Sequence, residues 1–330
     1  MLKNLFTRRA LVLMYHRVAD LPADPWELAV SPENFAQQLE LLQQKYNVVP
    51  VNRLVAQLRN QSVASKTVCL TFDDGYSDNS RLARPLLEKY NCPATFFIAT
   101  GYVDRQAEFW WDELEGVILH SVQLPGTLQL QIGNEWFVYN LDSDCRLTEE
   151  QQRQQQRWRA YLPPPTRRCA LYLELWRRLQ PLPAAAIEEG LRQLQAWAGT
   201  PAPPRRENFP LAGHQLGELA GHPLFEIGLH TQTHPSLSRH SADIQQGEIA
   251  GCSRFLKERY GKTCTTFSYP YGNFNGDTLA IARQQKLEAV FTTHAQTVTN
   301  RAHPYRLGRF QVKNWNGAEF ERQLRRWAQA

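Results

Sequence analysis

Short apolar runs recur along the chain and predict buried β-strands. They are rich in β-branched and aromatic residues and show no helical period. Between several of them lie segments with apolar residues three or four positions apart, such as Phe35, Leu39 and Leu42, which is typical of amphipathic helices. The predicted strands cover residues 11–15, 67–72, 94–99, 225–230, 265–269 and 289–293. This alternation favours an α/β fold with a mainly parallel sheet or barrel.

The pattern changes over residues 105–209, where proline clusters separate the segments. The predicted elements there are a β-hairpin over 127–132 and 136–140 and helices over 149–160, 167–180 and 184–198. We therefore predict an α-rich insertion between the two parts of one catalytic barrel, 1–104 and 210–330. A lid over the barrel mouth and a peripheral elaboration are both open interpretations of this insertion.

Two adjacent carboxylates, Asp73 and Asp74, follow the strand predicted over 67–72. Side chains alternate along a strand and Gly75 supplies a turn, so the two carboxylates can point in different directions. One can then bind a cation while the other stays free. Asp-Asp-Gly is also an ordinary turn sequence, so this motif alone does not decide between a functional and a structural role.

Two histidines, His230 and His234, stand at and just after the end of the strand predicted over 225–230. Residues four apart face the same way if the backbone makes one helical turn, whose length Pro235 would limit. Two imidazoles and one carboxylate suit zinc or a similar divalent ion and leave positions open for water and substrate. Together with the two carboxylates they predict a catalytic metal site with its own base, at the carboxyl ends of barrel strands.

At these motifs the sequence resembles the polysaccharide deacetylases of carbohydrate esterase family 4, which share the NodB-homology domain. The resemblance rests on residues 71–76, 230–234 and 267–272 and spans roughly residues 1–104 and 210–312. It implies a distorted, incomplete (β/α)7-type barrel. It also implies a hydrolase that acts on carbon–nitrogen bonds other than peptide bonds and removes an N-acetyl group from an amino sugar of a polysaccharide or glycan precursor.

The resemblance also assigns roles to individual residues. Asp73 would be the catalytic base, and Asp74, His230 and His234 would be the ligands of a divalent metal ion, for which we predict Zn²⁺. Tyr271, the aromatic residue after the proline of the third motif, would line the groove and offer its backbone N–H to the oxyanion.

Two departures from the family pattern leave alternatives for the residue that orients the base and for the general acid. Ser268 stands where many members carry an arginine that orients the base, and Arg309, or as a second choice Arg306, could replace that charge. The late histidine that serves as general acid usually follows a Leu-x-His pattern, which is absent. His294, after the strand predicted over 289–293, is our first candidate and His16 the second, and for either one a structural histidine is an equal alternative.

Four residues are candidates for substrate contact. They are Tyr271 and Tyr76 in the motifs, His16 at the end of the first strand, and Trp110 in a cluster of aromatic residues. An aromatic face such as that of Trp110 could stack on a sugar ring, and buried aromatic packing is the alternative.

Composition limits the partners and the cellular location that we expect. A net charge of +5 is mild, and no nucleic-acid-binding motif is found. No run approaches the roughly 18–20 apolar residues of a membrane span, and His16 and Arg17 interrupt the short apolar run that follows the basic start, which argues against a signal peptide. The 6 cysteines are scattered, as in a reduced protein. We predict a cytoplasmic protein with a carbohydrate substrate and no nucleic-acid partner, and peripheral membrane association is left open.

Three functions fit these observations. The first is the N-deacetylation that the resemblance implies. The second uses the same site on another acyl group, as an O-deacetylase or a deformylase. The third is a non-catalytic glycan-binding protein on the same scaffold. Ser268 and the missing Leu-x-His pattern motivate it, whereas the intact set Asp73, Asp74, His230 and His234 counts against it.

Overall fold

The computed structural model describes residues 8–133, 135–199 and 204–329. The chain divides into two compact units. The first comprises Leu28–Asp104 together with the described residues of 1–20 and 211–330, and the second comprises Leu21–Glu27 and the described residues of 105–210. No helix in the described part of the chain is long and apolar enough to cross a membrane.

The elements follow one another closely along the chain. The strands are β1 (Arg9–Tyr15), β2 (Arg17–Val18), β3 (Ala29–Val30), β4 (Asn47–Val48), β5 (Thr67–Phe72), β6 (Ala94–Ile98), β7 (Thr127–Ile132), β8 (Glu135–Asn140), β9 (Phe225–Leu229), β10 (Thr266–Ser268), β11 (Ala289–Phe291), β12 (Val298–Thr299) and β13 (Phe310–Gln311). The α-helices are α1 (Pro32–Lys45), α2 (Val51–Arg59), α3 (Arg84–Lys89), α4 (Trp110–Glu115), α5 (Glu149–Arg157), α6 (Arg167–Leu179), α7 (Ala184–Ala198), α8 (Gly213–Gly221), α9 (Ala242–Tyr260), α10 (Gly276–Gln284) and α11 (Gly317–Gln329).

The first unit is built on one curled sheet. Its strand order is β11-β10-β9-β6-β5-β1-β12, with β13 beside β1 and β4 beside β5. The neighbours from β1 to β11 all run parallel, whereas β12 pairs with β1 in the antiparallel direction. All six strands that the apolar runs predict are present in this sheet, and their carboxyl ends lie at one edge.

Residues 304–311 link the two edges of the parallel sheet. Leu307 forms a parallel bridge with Phe291 of β11, and Phe310 of β13 pairs with Leu13 of β1. Each of these contacts involves only one or two residue pairs, so the barrel is distorted and incomplete. This confirms the predicted (β/α)7-type barrel.

Aromatic side chains fill the centre of this unit. Phe72 of β5 stacks on Tyr15 of β1 at 5.2 Å and on Phe96 of β6 at 5.0 Å between ring centroids. Helix α1 buries Phe35 and Leu39 against the same core, as its apolar spacing predicts. Burying a side chain of this size contributes about 1.5–3 kcal/mol, so this core holds firmly the strands that carry the candidate site.

The second unit contains the predicted hairpin and helices. Strands β7 and β8 pair in the antiparallel direction, and the predicted turn residue Asn134 lies outside the described residues. Helices α5, α6 and α7 occupy the three segments that the sequence predicts as helical. Trp110 is buried among other indoles, with Trp111 at 5.7 Å and Trp176 at 6.3 Å between ring centroids. Trp110 therefore takes part in buried aromatic packing, which is the alternative to sugar stacking.

Candidate active site

Polar side chains gather at the carboxyl edge of the parallel sheet. Asp73 follows β5, His230 follows β9, Ser268 ends β10 and Arg309 precedes β13. Residues that are far apart in sequence meet here because parallel strands end at the same edge, which is where barrel proteins build their active sites.

Asp74, His230 and His234 form a compact cluster. The Nε2 atoms of His230 and His234 lie 3.4 Å and 3.3 Å from Oδ1 of Asp74. One ligand atom from each of the three residues lies within 4.8 Å of the others, and all three residues are buried. Two imidazole nitrogens and a carboxylate oxygen in this arrangement fit a divalent ion of the zinc type.

The protonation states of this cluster suit metal ligation. Burial lowers the pKa of His234 to about 3, so its imidazole is neutral at neutral pH. Burial raises the pKa of Asp74, but the neighbouring imidazoles of His230 and His234 outweigh it and leave that pKa lowered. Neutral imidazole and ionised carboxylate are the forms that bind metal.

A hydrogen bond sets the tautomer of His230. Its Nδ1 lies 2.7 Å from the backbone carbonyl oxygen of Ser268. A carbonyl can only accept, so Nδ1 carries the proton and the lone pair of Nε2 faces Asp74. This backbone contact has the form of the outer support that orients metal-binding histidines.

Left-handed backbone conformations shape the cluster. Asp74, Thr231, His234 and Tyr271 have φ values of 71°, 67°, 57° and 58°. Such values are uncommon outside glycine and concentrate at functional sites. No helical turn joins His230 to His234, so the single turn considered from their spacing is wrong. Left-handed residues at 231 and 234 bring the two imidazoles together instead.

Glu248 of α9 holds the loop that carries His234. Its Oε2 accepts the backbone N–H groups of Gln232 and Thr233, both at 2.8 Å, and its Oε1 accepts the Thr233 hydroxyl at 2.6 Å. The N–H of Gly101 donates to the carbonyl of Gln232 at 2.8 Å. Sequence reasoning missed Glu248, because it lies on a helix with no motif that connects it to the histidines.

Asp73 pairs with Arg309 through two hydrogen bonds. Nη1 and Nη2 of Arg309 lie 2.8 Å and 2.6 Å from the two carboxylate oxygens, and both side chains are buried. The other N–H groups of Arg309 donate to the Thr71 hydroxyl, the Ser268 hydroxyl and the Thr292 carbonyl. All five donors of the guanidinium therefore have acceptors, which fixes its plane.

This network settles two points that the departures from the family pattern leave open. Arg309, and not Arg306, meets Asp73, since the Arg306 guanidinium lies 5.4 Å from the ring centroid of Phe274. The Ser268 hydroxyl accepts from Arg309 at 2.7 Å and donates to Asp73 at 3.2 Å. Ser268 thus joins the network at the position where an arginine would otherwise stand.

The charge of Arg309 controls the ionisation of Asp73. Burial raises the pKa of Asp73, but the charge of Arg309, the neighbouring His230 and the hydrogen bonds from Arg309 outweigh it. The net result is a pKa below the usual value for an aspartate. The Asp73 carboxylate is ionised at neutral pH and lies 3.9 Å from Nε2 of His230, beside the cluster.

The other candidate residues differ in their access to this edge of the sheet. The half-buried ring of Tyr271 packs against His234 with 4.6 Å between ring centroids. Tyr76 is fully buried, with the Arg17 guanidinium 4.3 Å from its ring centroid. No surface of Tyr76 is left for a substrate, so a structural role replaces its predicted contact.

The two candidate general acids lie at strand ends. His16 is half-buried, and its positive charge would favour the ionised form of Asp73. His294 is exposed, and its carbonyl accepts the backbone N–H of Arg309 at 2.9 Å. Within the described residues the His294 ring makes no hydrogen bond to Asp73 or to the cluster, so its catalytic role stays a prediction.

Comparison with known proteins identifies relatives of this chain. The family model for polysaccharide deacetylase matches residues 60–159 and 198–290, which is more than half of the chain. The match continues beyond residue 104, further than the motifs reach. The poly-beta-1,6-N-acetyl-D-glucosamine N-deacetylase of Staphylococcus epidermidis is 26% identical over 125 residues, which cover 36% of this chain and 42% of that protein. The chain spans about two fifths of the length of the curated relatives that it matches.

Solved structures share the fold. The deacetylase PplD of Streptococcus pyogenes, solved in complex with acetate, superposes with a TM-score of 0.56 at 19% identity and covers 96% of this chain and 98% of its own. IcaB from Ammonifex degensii superposes with a TM-score of 0.58 at 21% identity and covers 98% of both chains. At such identities the similarity establishes the fold alone.

Proposed function

The chain belongs to the polysaccharide deacetylase family, and we propose that it hydrolyses the N-acetyl group of an amino sugar in a polysaccharide or glycan precursor. One observation carries the proposal. The buried cluster of Asp74, His230 and His234 lies beside a second carboxylate, Asp73, which is ionised and held separately by Arg309. A structural metal site would not require this separate carboxylate.

Asp74, His230 and His234 would hold the metal ion, for which we propose zinc because of its preference for imidazole and carboxylate ligands. A divalent ion bound there would polarise an acyl carbonyl and lower the pKa of a water. Three protein ligands leave further coordination positions open, as in catalytic sites. The buried position of all three side chains favours a defined geometry.

Asp73 would accept the proton of the attacking water. Its pairing with Arg309 keeps it ionised, and the two parallel hydrogen bonds orient its oxygens. Its lowered pKa makes it a weak base that releases the proton readily. Arg309 is thus a positioning residue that acts through Asp73.

Tyr271 and one histidine would complete the reaction. The backbone N–H of Tyr271 would stabilise the developing oxyanion, and loss of one such donor typically costs about 10²–10³ in rate. His294, or His16 as the alternative, would protonate the departing amine. The products are acetate and a free amino sugar.

The test is acetate release from N-acetylated glycans. The purified chain, loaded with zinc, would be incubated with β-1,6-linked N-acetylglucosamine oligomers and with other N-acetylated oligosaccharides. Acetate and new primary amines should appear together. Formate from N-formylated oligosaccharides, or acetate without new amine from O-acetylated ones, would instead support a deformylase or an O-deacetylase, and binding without turnover would support the non-catalytic alternative.

Asp73→Asn tests the proposed base. It should keep stoichiometric zinc but lose most of the turnover, because the amide cannot accept the proton. Asp277→Asn, at an exposed position of α10, is the matched control and should leave the rate unchanged. Full activity of Asp73→Asn would rule out the assigned role.

A further inference from the structure

A positively charged cavity, here called the basic cavity, lies at the amino-terminal ends of the strands of the first unit. Its volume is about 800 Å³, and it adjoins the starts of β1 and β5 at Arg9 and Thr67. The candidate active site occupies the carboxyl ends of the same strands and shares no residue with it. The charged residues that line the basic cavity are Arg8, Arg9, Lys45, Lys66, Arg325 and Glu321.

The charges around the basic cavity do not balance. Among the described residues that line it, five cationic side chains face one carboxylate, Glu321, which leaves an excess of four positive charges. Glu321 accepts from Lys45 and Arg325, both at 2.7 Å. Arg8, Arg9 and Lys66 make no ion pair within residues 8–133, 135–199 and 204–329. This surplus accounts for most of the net charge of +5 carried by the whole chain.

One donor of Arg9, an arginine that lines the basic cavity, has no acceptor among the described residues. The Nη1 atom of Arg9 is shielded from solvent and has no hydrogen-bond partner in the described chain. A donor in this condition is unfavourable, since it has lost its water without a replacement. Rotation of the Arg9 guanidinium toward an anion in the cavity would supply the missing acceptor.

We propose that the basic cavity binds a phosphate-bearing anion. The cations converge from β1, α1, α11 and the segment before β5, so they can surround one group with several oxygens. Arginine binds phosphate through two parallel hydrogen bonds, and lysine adds a compact charge. The phosphate can belong to a lipid headgroup or to a small molecule in solution, because both present the same oxygens to the cavity.

Titration calorimetry with inorganic pyrophosphate and sedimentation with phospholipid vesicles test the proposal and separate the two sources. Vesicles that contain phosphatidylglycerol would be compared with pure phosphatidylcholine vesicles. Binding of pyrophosphate alone supports a soluble phosphate, and additional binding of the phosphatidylglycerol vesicles supports a lipid headgroup. Absence of binding in both assays overturns the proposal.

Two double variants locate the site. Arg9→Gln/Lys66→Gln should weaken binding by about tenfold or more, because it removes two unpaired cations. Arg254→Gln/Lys257→Gln on the exposed face of α9 changes the net charge equally and should weaken it much less. An equal effect of the two variants would mean that binding follows net charge and not the basic cavity, and would refute the proposal.

Glu321→Gln provides a test that misfolding cannot mimic. It removes the one acid among the described residues that line the basic cavity and releases Lys45 and Arg325 from their ion pairs. Pyrophosphate binding should become severalfold tighter. Unchanged or weaker binding in a variant of normal thermal stability would contradict the proposal.

Discussion

Replacement of Arg309 by methionine is the most informative change that the structure suggests. Arg309 has no exposed surface and Asp73 is 2% exposed, so the variant leaves a carboxylate buried without its cation. Removal of one partner of a buried pair costs about 3–5 kcal/mol, and we expect the upper part of this range because all five donors of Arg309 are used. Urea unfolding at about pH 7 measures this loss.

The pH dependence identifies the cause of that loss. In the native protein the pKa of Asp73 is lowered, so its contribution to stability is present above the unfolded value of about 3.9 and disappears as pH falls through the folded pKa. Without Arg309, burial dominates and raises this pKa. Ionised Asp73 then costs stability, and this cost disappears as pH falls below the raised pKa. The stability difference between Arg309→Met and the native chain should therefore shrink when both are measured at lower pH.

Two further variants complete the experiment. Arg309→Met/Asp73→Asn should recover part of the lost stability, because the uncompensated charge is gone. Arg254→Met on the exposed face of α9 is the matched control and should change stability by no more than about 0.5 kcal/mol. The buried Arg309–Asp73 pair is not the source of this stability if Arg309→Met unfolds like the native chain, or if the double variant is less stable than Arg309→Met.

Three more predictions concern the metal cluster and its support. His234→Ala should lose bound zinc and activity together, as metal analysis of the purified variant would reveal, and stoichiometric zinc would exclude His234 as a ligand. Glu248→Ala should weaken zinc binding by about 10–100-fold, whereas Glu248→Gln should retain most of it because the amide oxygen still accepts the loop N–H groups. The Co²⁺ absorption spectrum of each variant reports the cluster directly. Gly101→Ala should cost about 1–3 kcal/mol, since its Cβ would lie 2.8 Å from the Gln232 carbonyl oxygen, and Gly247→Ala, with open space around it, is the control.

Much of the fold follows from local patterns. Each apolar run that predicts a strand lies in the sheet, and the helical spacing of Phe35, Leu39 and Leu42 corresponds to α1. Residues 21–27 are different, because they belong to the second unit although they lie early in the chain. Nothing in their composition indicates this, since the assignment depends on contacts with distant residues, such as those of Trp26 with Tyr172 and Trp176.

The candidate site likewise contains residues that the sequence motifs predict and a residue whose role depends on tertiary contacts. Asp73, Asp74, His230 and His234 stand out in the sequence because each motif follows a buried strand and combines the residue types that metals require. Arg309 could be proposed only as one of two arginines. Its selection depends on a path of the chain between β11 and β13 that places it, and not Arg306, against Asp73.

The sequence by itself determined the strands, the helices and the chemical nature of the ligands, because these depend on residues close to one another along the chain. The tertiary structure decided which charge meets Asp73, how His230 and His234 converge, and that Glu248 holds their loop. These features arise from hydrogen bonds between distant segments and from backbone conformations at Asp74, Thr231 and His234. A periodic pattern of side chains predicts neither these hydrogen bonds nor these backbone conformations, since both are set by the packing of parallel strands at one edge of the barrel.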